Sequence, residues 1–316
     1  MNYDAGARSA DHAASASPPP SPLKPLEGAR GLMLPGGRYR LDHPVATGGR
    51  ATVWKGLDTE TGRQVAVKLP HASLAGDLEA ARLFRAEALA GARVTHSAVV
   101  QTIDYHEIDS HAYLVLEFVE GKPLNAELRD RGTMLAPEIL TALAQVAGGL
   151  HAVHRAQLVH RDVTPQNIVW DGQRAKLIDF GIAVPFGTPT LTANVQVPGN
   201  PSYLAPELAL GSNATPAADI YSLGLVLLVA LTGTRPFAGA TPEDIAMAHV
   251  MGPSPVAPQN LVSDLRILIH RMTAKEPLRR PSSALVVSRL LAAFAPTPYA
   301  GAAATGPAAD AGAPAP

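Results

Sequence analysis

The hydrophobic pattern of this chain changes period once, and that change restricts the folds open to it more than any other feature. The first part of the patterned stretch carries short runs of β-formers separated by turn residues: YRLDHPVA at 39–46, ATVWKGLD at 51–58 and RQVAVKLP at 63–70, with further candidates at 99–105 and 112–118. One helical segment interrupts them at 78–92, its apolar residues three or four apart. Beyond Gly121 the spacing is mostly helical, over 137–156, 216–232, 242–251, 261–272 and 282–293. Pro137, Pro216 and Pro242 stand where a first helical turn tolerates proline. The pattern predicts a small strand-rich lobe at about 37–119, a larger helical lobe at about 120–294, and a hinge near 117–121.

The flanks, 1–36 and 295–316, are rich in Ala, Ser, Pro and Gly and show no apolar periodicity. They bury too little apolar surface to offset the entropy of ordering, and both are expected to be disordered tails. Formal net charge is −1, which gives no pull toward nucleic acid or an anionic membrane. The chain has no cysteine, which excludes a disulfide framework, a Cys-ligated zinc and a thiol nucleophile, and suits a reducing cytoplasm. The first residues lack the basic start and apolar stretch of a signal peptide, and the apolar run 223–231 is about half of the ~20 residues a spanning helix needs. A soluble cytoplasmic protein is expected.

Four short strings carry chemistry. Ala46 to Val53 holds the pair Gly48-Gly49 between two strands, where backbone N–H groups can approach phosphate oxygens; alone, such a pair is more simply a hairpin turn. Lys68 ends the apolar strand Val65-Ala66-Val67, an edge lysine unless Glu87 on the next helix holds it against phosphates. His160-Arg161-Asp162 is followed by Asn167, placing a base and an oxygen ligand for magnesium in one polar loop. Asp179-Phe180-Gly181 puts another carboxylate at a strand end. Each string alone decides nothing. Of the eleven histidines, His151 and His154 with His160 invite a metal reading, but no third ligand in suitable context accompanies the helical pair, and core or surface histidines are the simpler account. Glu117 and Glu120 are expected on a solvated face.

Their order decides the matter. Glycine loop, strand Lys, helix Glu, HRD with Asn, DFG, then Ala205-Pro206-Glu207 occur once each and in sequence, and the chain resembles the protein kinase family over about 37–294. Asp219 to Gly224 resembles that family's buried helix start, and Arg280 the arginine that pairs with Glu207. The DFGIA string, Leu231-Thr232-Gly233 and Arg235-Pro236-Phe237 are most similar to the bacterial, eukaryotic-type Ser/Thr kinases. The resemblance implies an α+β bilobal protein kinase fold, with a five-stranded antiparallel N-terminal lobe carrying one main helix and a mainly helical C-terminal lobe. It implies ATP and Mg²⁺ as cofactors, with Mn²⁺ as a substitute, and protein substrates bearing Ser or Thr. By the same resemblance Asp162 accepts the proton of the substrate hydroxyl, Asn167 and Asp179 hold Mg²⁺, and Lys68, steadied by Glu87, contacts the α- and β-phosphates. Ala46, Gly48 and Gly49 cover the nucleotide. Val45, Val53, Ala66 and Val169 sandwich the adenine, the backbones of Glu117 and Val119 bond its edge, and Leu116 is the gatekeeper. Phe180 and His160 are packing residues.

Four positions depart from the family pattern. Ala46 and Ala51 replace glycines of the loop, Asn200 replaces a threonine that contacts Asp162, and Thr164 stands where a lysine usually meets the γ-phosphate. These leave a pseudokinase, acting as a nucleotide-binding scaffold, as the alternative. A small-molecule phosphotransferase is the other rival, with Ala205-Pro206-Glu207, Asp219 and Arg280 against it. Self-association for trans-autophosphorylation is expected to act on the segment between Asp179 and Glu207, which offers Thr188, Thr190 and Thr192, at Thr192 first and Thr190 second.

Overall fold

The computed structural model describes residues 30–71, 78–108, 111–189 and 199–295. Its N-terminal part is a sheet built from β1 (Tyr39–Thr47), β2 (Ala51–Asp58) and β3 (Gln64–Pro70), then α1 (Leu78–Ala92), β4 (Thr102–Ile108) and β5 (His111–Glu117). The five strands are antiparallel in the order β1-β2-β3-β5-β4, and α1 packs against β4 and β5. Period two governs β3: Val65, Val67 and Leu69 bury with Tyr39, Leu41, Trp54 and Val115, while Ala66 and Lys68 face the other way.

Past Gly121 come β6 (Lys122–Pro123), α2 (Leu124–Arg131), α3 (Ala136–Arg155), β7 (Leu158–Val159), β8 (Ile168–Trp170), β9 (Ala175–Leu177) and β10 (Val184–Pro185). Then follow α4 (Pro206–Ala209), α5 (Pro216–Thr232), α6 (Pro242–Met251), α7 (Ser263–Met272) and α8 (Ala284–Phe294). α5 is buried on every side from Ala218 to Ala230, as a helix apolar all round must be, and α3, α7 and α8 pack around it. Gly121 carries the chain between lobes at φ 120°, and a Cβ there would lie 2.4 Å from the Trp170 carbonyl oxygen, so only glycine fits. Among the described residues no helix is long and apolar enough to cross a membrane.

The bilobal α+β expectation holds, with corrections at four places. The fold begins before residue 37: Leu34 is buried, Met33 pairs with Arg40, and Tyr113 donates to the Pro35 carbonyl. Apolar residues at 32–34 gave that stretch a core to join; 1–29 and 296–316 lie outside the described residues. The strand expected at 99–105 starts at Thr102, because Val99 and Val100 turn away to bridge Leu177 and bury beneath α1. α2 has no counterpart in the sequence pattern, since Leu124 and Leu128 are its only large apolar residues and form no extended stripe. α7 and α8 each begin two residues late, α8 where Ser283 caps the Val286 N–H.

Candidate active site

Lys68 leaves β3 on the face opposite the lobe's core, and α1 presents Glu87 to it. Its ammonium lies 2.7 and 2.9 Å from the two Glu87 oxygens and 2.9 Å from Asp179 Oδ1. Two carboxylates thus share one cation in a largely desolvated place. Burial by itself would depress Lys68, but Asp179 and Glu87 outweigh it and hold the ammonium above its usual range. Burial pushes Glu87 up to about 7; Lys68 opposes this and Asp179 adds to it. Asp179 itself stays below the usual carboxylate range, because Lys68 and the Gly181 N–H overcome its burial. With one ammonium between two carboxylates, Asp179 is left able to take a further positive charge.

The second half of the site is the loop 160–167. Asp219, fully buried at the start of α5, accepts from the backbone N–H groups of His160 and Arg161 at 2.9 Å each and from His154 Nε2 at 2.8 Å. Those bonds hold Arg161 at φ 64°, a left-handed conformation that a non-glycine residue keeps only when its surroundings insist. Asp179 is likewise left-handed, at φ 72°. The loop aims Asp162 so that Oδ2 accepts from Asn167 Nδ2 at 2.7 Å and Oδ1 from the Asn200 N–H at 3.3 Å. Burial raises the Asp162 pKa despite these bonds and despite His160, which makes it a better proton acceptor. Asn167 gives its amide nitrogen to Asp162, so its Oδ1 is the atom left for a cation. Among the described residues no three His, Cys, Asp or Glu side chains converge as metal ligands. Asn167 and Asp179 are an all-oxygen pair, which fits Mg²⁺ completed by phosphate oxygens and water.

The expected nucleotide groups lie on the strands and turns of the first lobe and on β8. Val53 lies opposite Lys68, and Ala66 opposite Leu116, in the strand register. Val169 is buried in β8 and Val119 packs with Leu116 near Phe180. Val45, Ala46, Gly48 and Gly49 form an exposed strand end and turn above them. The Glu117 N–H donates to the Gln101 carbonyl, so any bond from this backbone to a ring must use the Glu117 carbonyl. The Glu117 side chain is not solvated as expected: it pairs with Lys176 of β9, a partner that nothing local in the sequence marks. Glu120 is exposed.

Thr164 is buried, and its hydroxyl has no partner among the described residues. Asn200 turns its side chain to cap the Ser202 N–H and reaches Asp162 through its backbone. Glu207 and Arg280 form the expected pair, two bonds of 2.6 and 2.7 Å at a fully buried guanidinium. His160 packs its ring, tilted, against Phe180, and burial lowers its pKa; it and His154 are core residues, while His151 is partly exposed. Thr188 donates its hydroxyl to the Pro185 carbonyl and pairs through its backbone with Ala214, which makes it a poor acceptor of phosphate. Thr190 and Thr192 lie outside the described residues.

A protein kinase domain family model matches residues 39–291. The chain is 41% identical over 250 residues to the serine/threonine-protein kinase PknA of Mycobacterium tuberculosis, an alignment covering 77% of this chain and 58% of PknA. It is 36% identical over 275 residues to the serine/threonine-protein kinase PknL of Mycobacterium bovis, covering 86% and 68%. To the serine/threonine-protein kinase PrkC of Bacillus subtilis it is 35% identical over 252 residues, covering 78% and 39%. The chain thus spans little more than half the length of the PknA relatives it matches.

Proposed function

Because the chain belongs to the protein kinase family, whose domain covers 39–291 of it, we propose that it transfers the γ-phosphate of ATP to serine or threonine hydroxyls of protein substrates, its own among them. The observation that carries this is Lys68 held at once by Glu87 and Asp179, facing a loop that presents Asp162 and Asn167. Phosphoryl transfer asks for positioning and charge neutralisation more than covalent chemistry. Lys68 gives Asp179 up to the nucleotide and meets the α- and β-phosphates while Glu87 keeps its place. Asp162 orients the acceptor hydroxyl and takes its proton. Asn167 and Asp179 would hold Mg²⁺, which would supply the remaining positive charge at the phosphates. Val45, Val53, Ala66 and Val169 clasp the adenine, Ala46, Gly48 and Gly49 close over the phosphates, and the carbonyl of Glu117 and the backbone of Val119 meet the ring's edge. The relatives' names support Ser and Thr as acceptors. Thr192, ahead of Thr190, is the proposed site of autophosphorylation, by one copy acting on another.

Purified protein incubated with labelled ATP and Mg²⁺ should label itself and a generic protein substrate. Asp162→Asn and Lys68→Met should each cut transfer by at least about a thousandfold while keeping a cooperative melting transition. Nucleotide binding without transfer in the wild type would return the case to a scaffold; near wild-type activity in either variant would overturn the residue roles.

A further inference from the structure

β2 alternates between two environments: Trp54, Gly56 and Asp58 are buried, while Val53, Lys55 and Leu57 between them are half-buried. The register with β3 sets Val53 opposite Lys68, Lys55 opposite Ala66 and Leu57 opposite Gln64, so these six share one face of the sheet. Ala66 in turn lies opposite Leu116, which makes Lys55, Ala66 and Leu116 one row across β2, β3 and β5. Val53 and Ala66 of this face clasp the adenine in the kinase reading, and Lys55 is the side chain beside both. Its ammonium lies 4.4 Å from the centre of the Phe118 ring. Phe118 follows β5 directly and stands between Glu117 and Val119, the two residues whose backbone meets the edge of the base.

A neighbouring carboxylate is the ordinary partner for a lysine, but the Glu117 carboxylate is taken by Lys176 of β9. Lys55 meets the face of an aromatic ring instead, and its methylene stem lays apolar surface beside Ala66 on the way there. On its outer side Lys55 lines an open hollow of about 480 Å³ with Arg40, Leu57 and Gln64, where water reaches the side chain. A cation–π contact is weak while the cation is hydrated and strengthens as water leaves. A flat base laid against Val53 and Ala66 would cover the stem and take water from the ammonium. Base and contact then favour each other, because coupling between two interactions is reciprocal.

We infer that Lys55 belongs to the nucleotide site: its stem extends the apolar roof of Val53 and Ala66 over the base, and its ammonium on Phe118 holds the segment Glu117–Val119 against the base's edge. The inference rests on the nucleotide-binding part of the kinase reading and adds to it a second lysine with a different task. Lys68, two residues along β3 from Ala66, serves the phosphates; Lys55 serves the base.

Calorimetric titration with adenosine, which carries no phosphate, and with ATP and Mg²⁺ tests this without requiring transfer. Lys55→Met keeps the stem and loses the charge, and should weaken both ligands by the same factor, about three- to tenfold, the scale of one cation–π contact. Lys55→Arg should bind both within about twofold of wild type, since a guanidinium also stacks on an aromatic face. Phe118→Leu should match Lys55→Met, and the double variant should bind no more weakly than either alone. In the transfer assay Lys55→Met should raise KM for ATP while kcat stays within about twofold of wild type. A loss confined to ATP would put the lysine at the phosphates and overturn the inference. Additive losses in the double variant, an Arg variant no better than Met, or no loss in Lys55→Met would overturn it equally. Wild-type binding of both ligands without transfer would end the kinase reading and leave the calorimetry to decide on Lys55; binding of neither would end both.

Discussion

Replacing Asp219 by Ala should disable the loop 160–167 without touching any group that contacts substrate or nucleotide. Three donors converge on this carboxylate: His160 N–H, Arg161 N–H and His154 Nε2, all within 2.9 Å and all out of water. Truncation leaves the two backbone N–H groups buried and unpaired, at about 1–3 kcal/mol each, and removes a charge-assisted bond to His154. Breaking a buried charged cluster by deleting one partner generally costs about 3–5 kcal/mol, so the estimates agree near 4 kcal/mol. For a domain of this size that lowers the melting temperature by roughly 8–16 °C. The same change frees Arg161 to leave φ 64°, which swings Asp162 away from its bonds with Asn167 and Asn200. Transfer should therefore fall by about a hundredfold or more below the melting point, while Mg²⁺-dependent ATP binding at Lys68, Glu87 and Asp179 persists. Thermal melting followed by dye fluorescence, nucleotide titration by calorimetry and labelled transfer measure the three. A melting temperature within about 2 °C of wild type together with unchanged kcat would refute the reasoning, since the loop would then hold its shape without Asp219.

Other outcomes are expected on the same grounds. Arg280→Ala should destabilise by about 3–5 kcal/mol in urea titration, because Glu207 loses both its bonds and the Ala217, Ala274 and Lys275 carbonyls lose theirs; Arg280→Lys should recover only part. Thr164→Lys should raise kcat with little change in ATP affinity, provided the longer side chain leaves its buried position to place its ammonium at the phosphates; no gain in turnover would show that another group serves there. His249 is held neutral down to about pH 4 when folded and titrates near its ordinary value of 6.5 when unfolded. Its contribution is intact above about pH 6.5 and lost as pH falls toward 4, where it totals about 3 kcal/mol. His249→Phe should therefore show a shallower fall of stability over that range, and an identical slope would count against a buried neutral imidazole.

Much of the fold and of the site was legible in the sequence, and for local reasons. α1, α5 and α6 begin and end where the 3.6-residue period and Pro216 and Pro242 said they would, since both signals act within one or two helical turns. Lys68 by its place at the end of an apolar strand reads only as an edge lysine, and it was the ordered series of short strings that marked it, with Glu87, Asp162, Asn167 and Asp179, as a candidate before any geometry. Other features had no local signal. Asp219 was marked only by resemblance, and nothing local named its partners, the nearest along the chain, the Arg161 N–H, being 58 residues away. Lys176 and Glu117 lie 59 apart and meet only because the fold brings β9 beside the end of β5. Thr188 offers the same hydroxyl as any threonine in a proline- and glycine-containing stretch, until its backbone pairs with Ala214. Leu34 was hidden by the composition of its neighbours. Period and composition report on a residue's nearest neighbours along the chain. Burial, and the partner that a buried polar atom must find, are set by strand register and helix packing between distant segments, which is why those assignments waited for the tertiary structure.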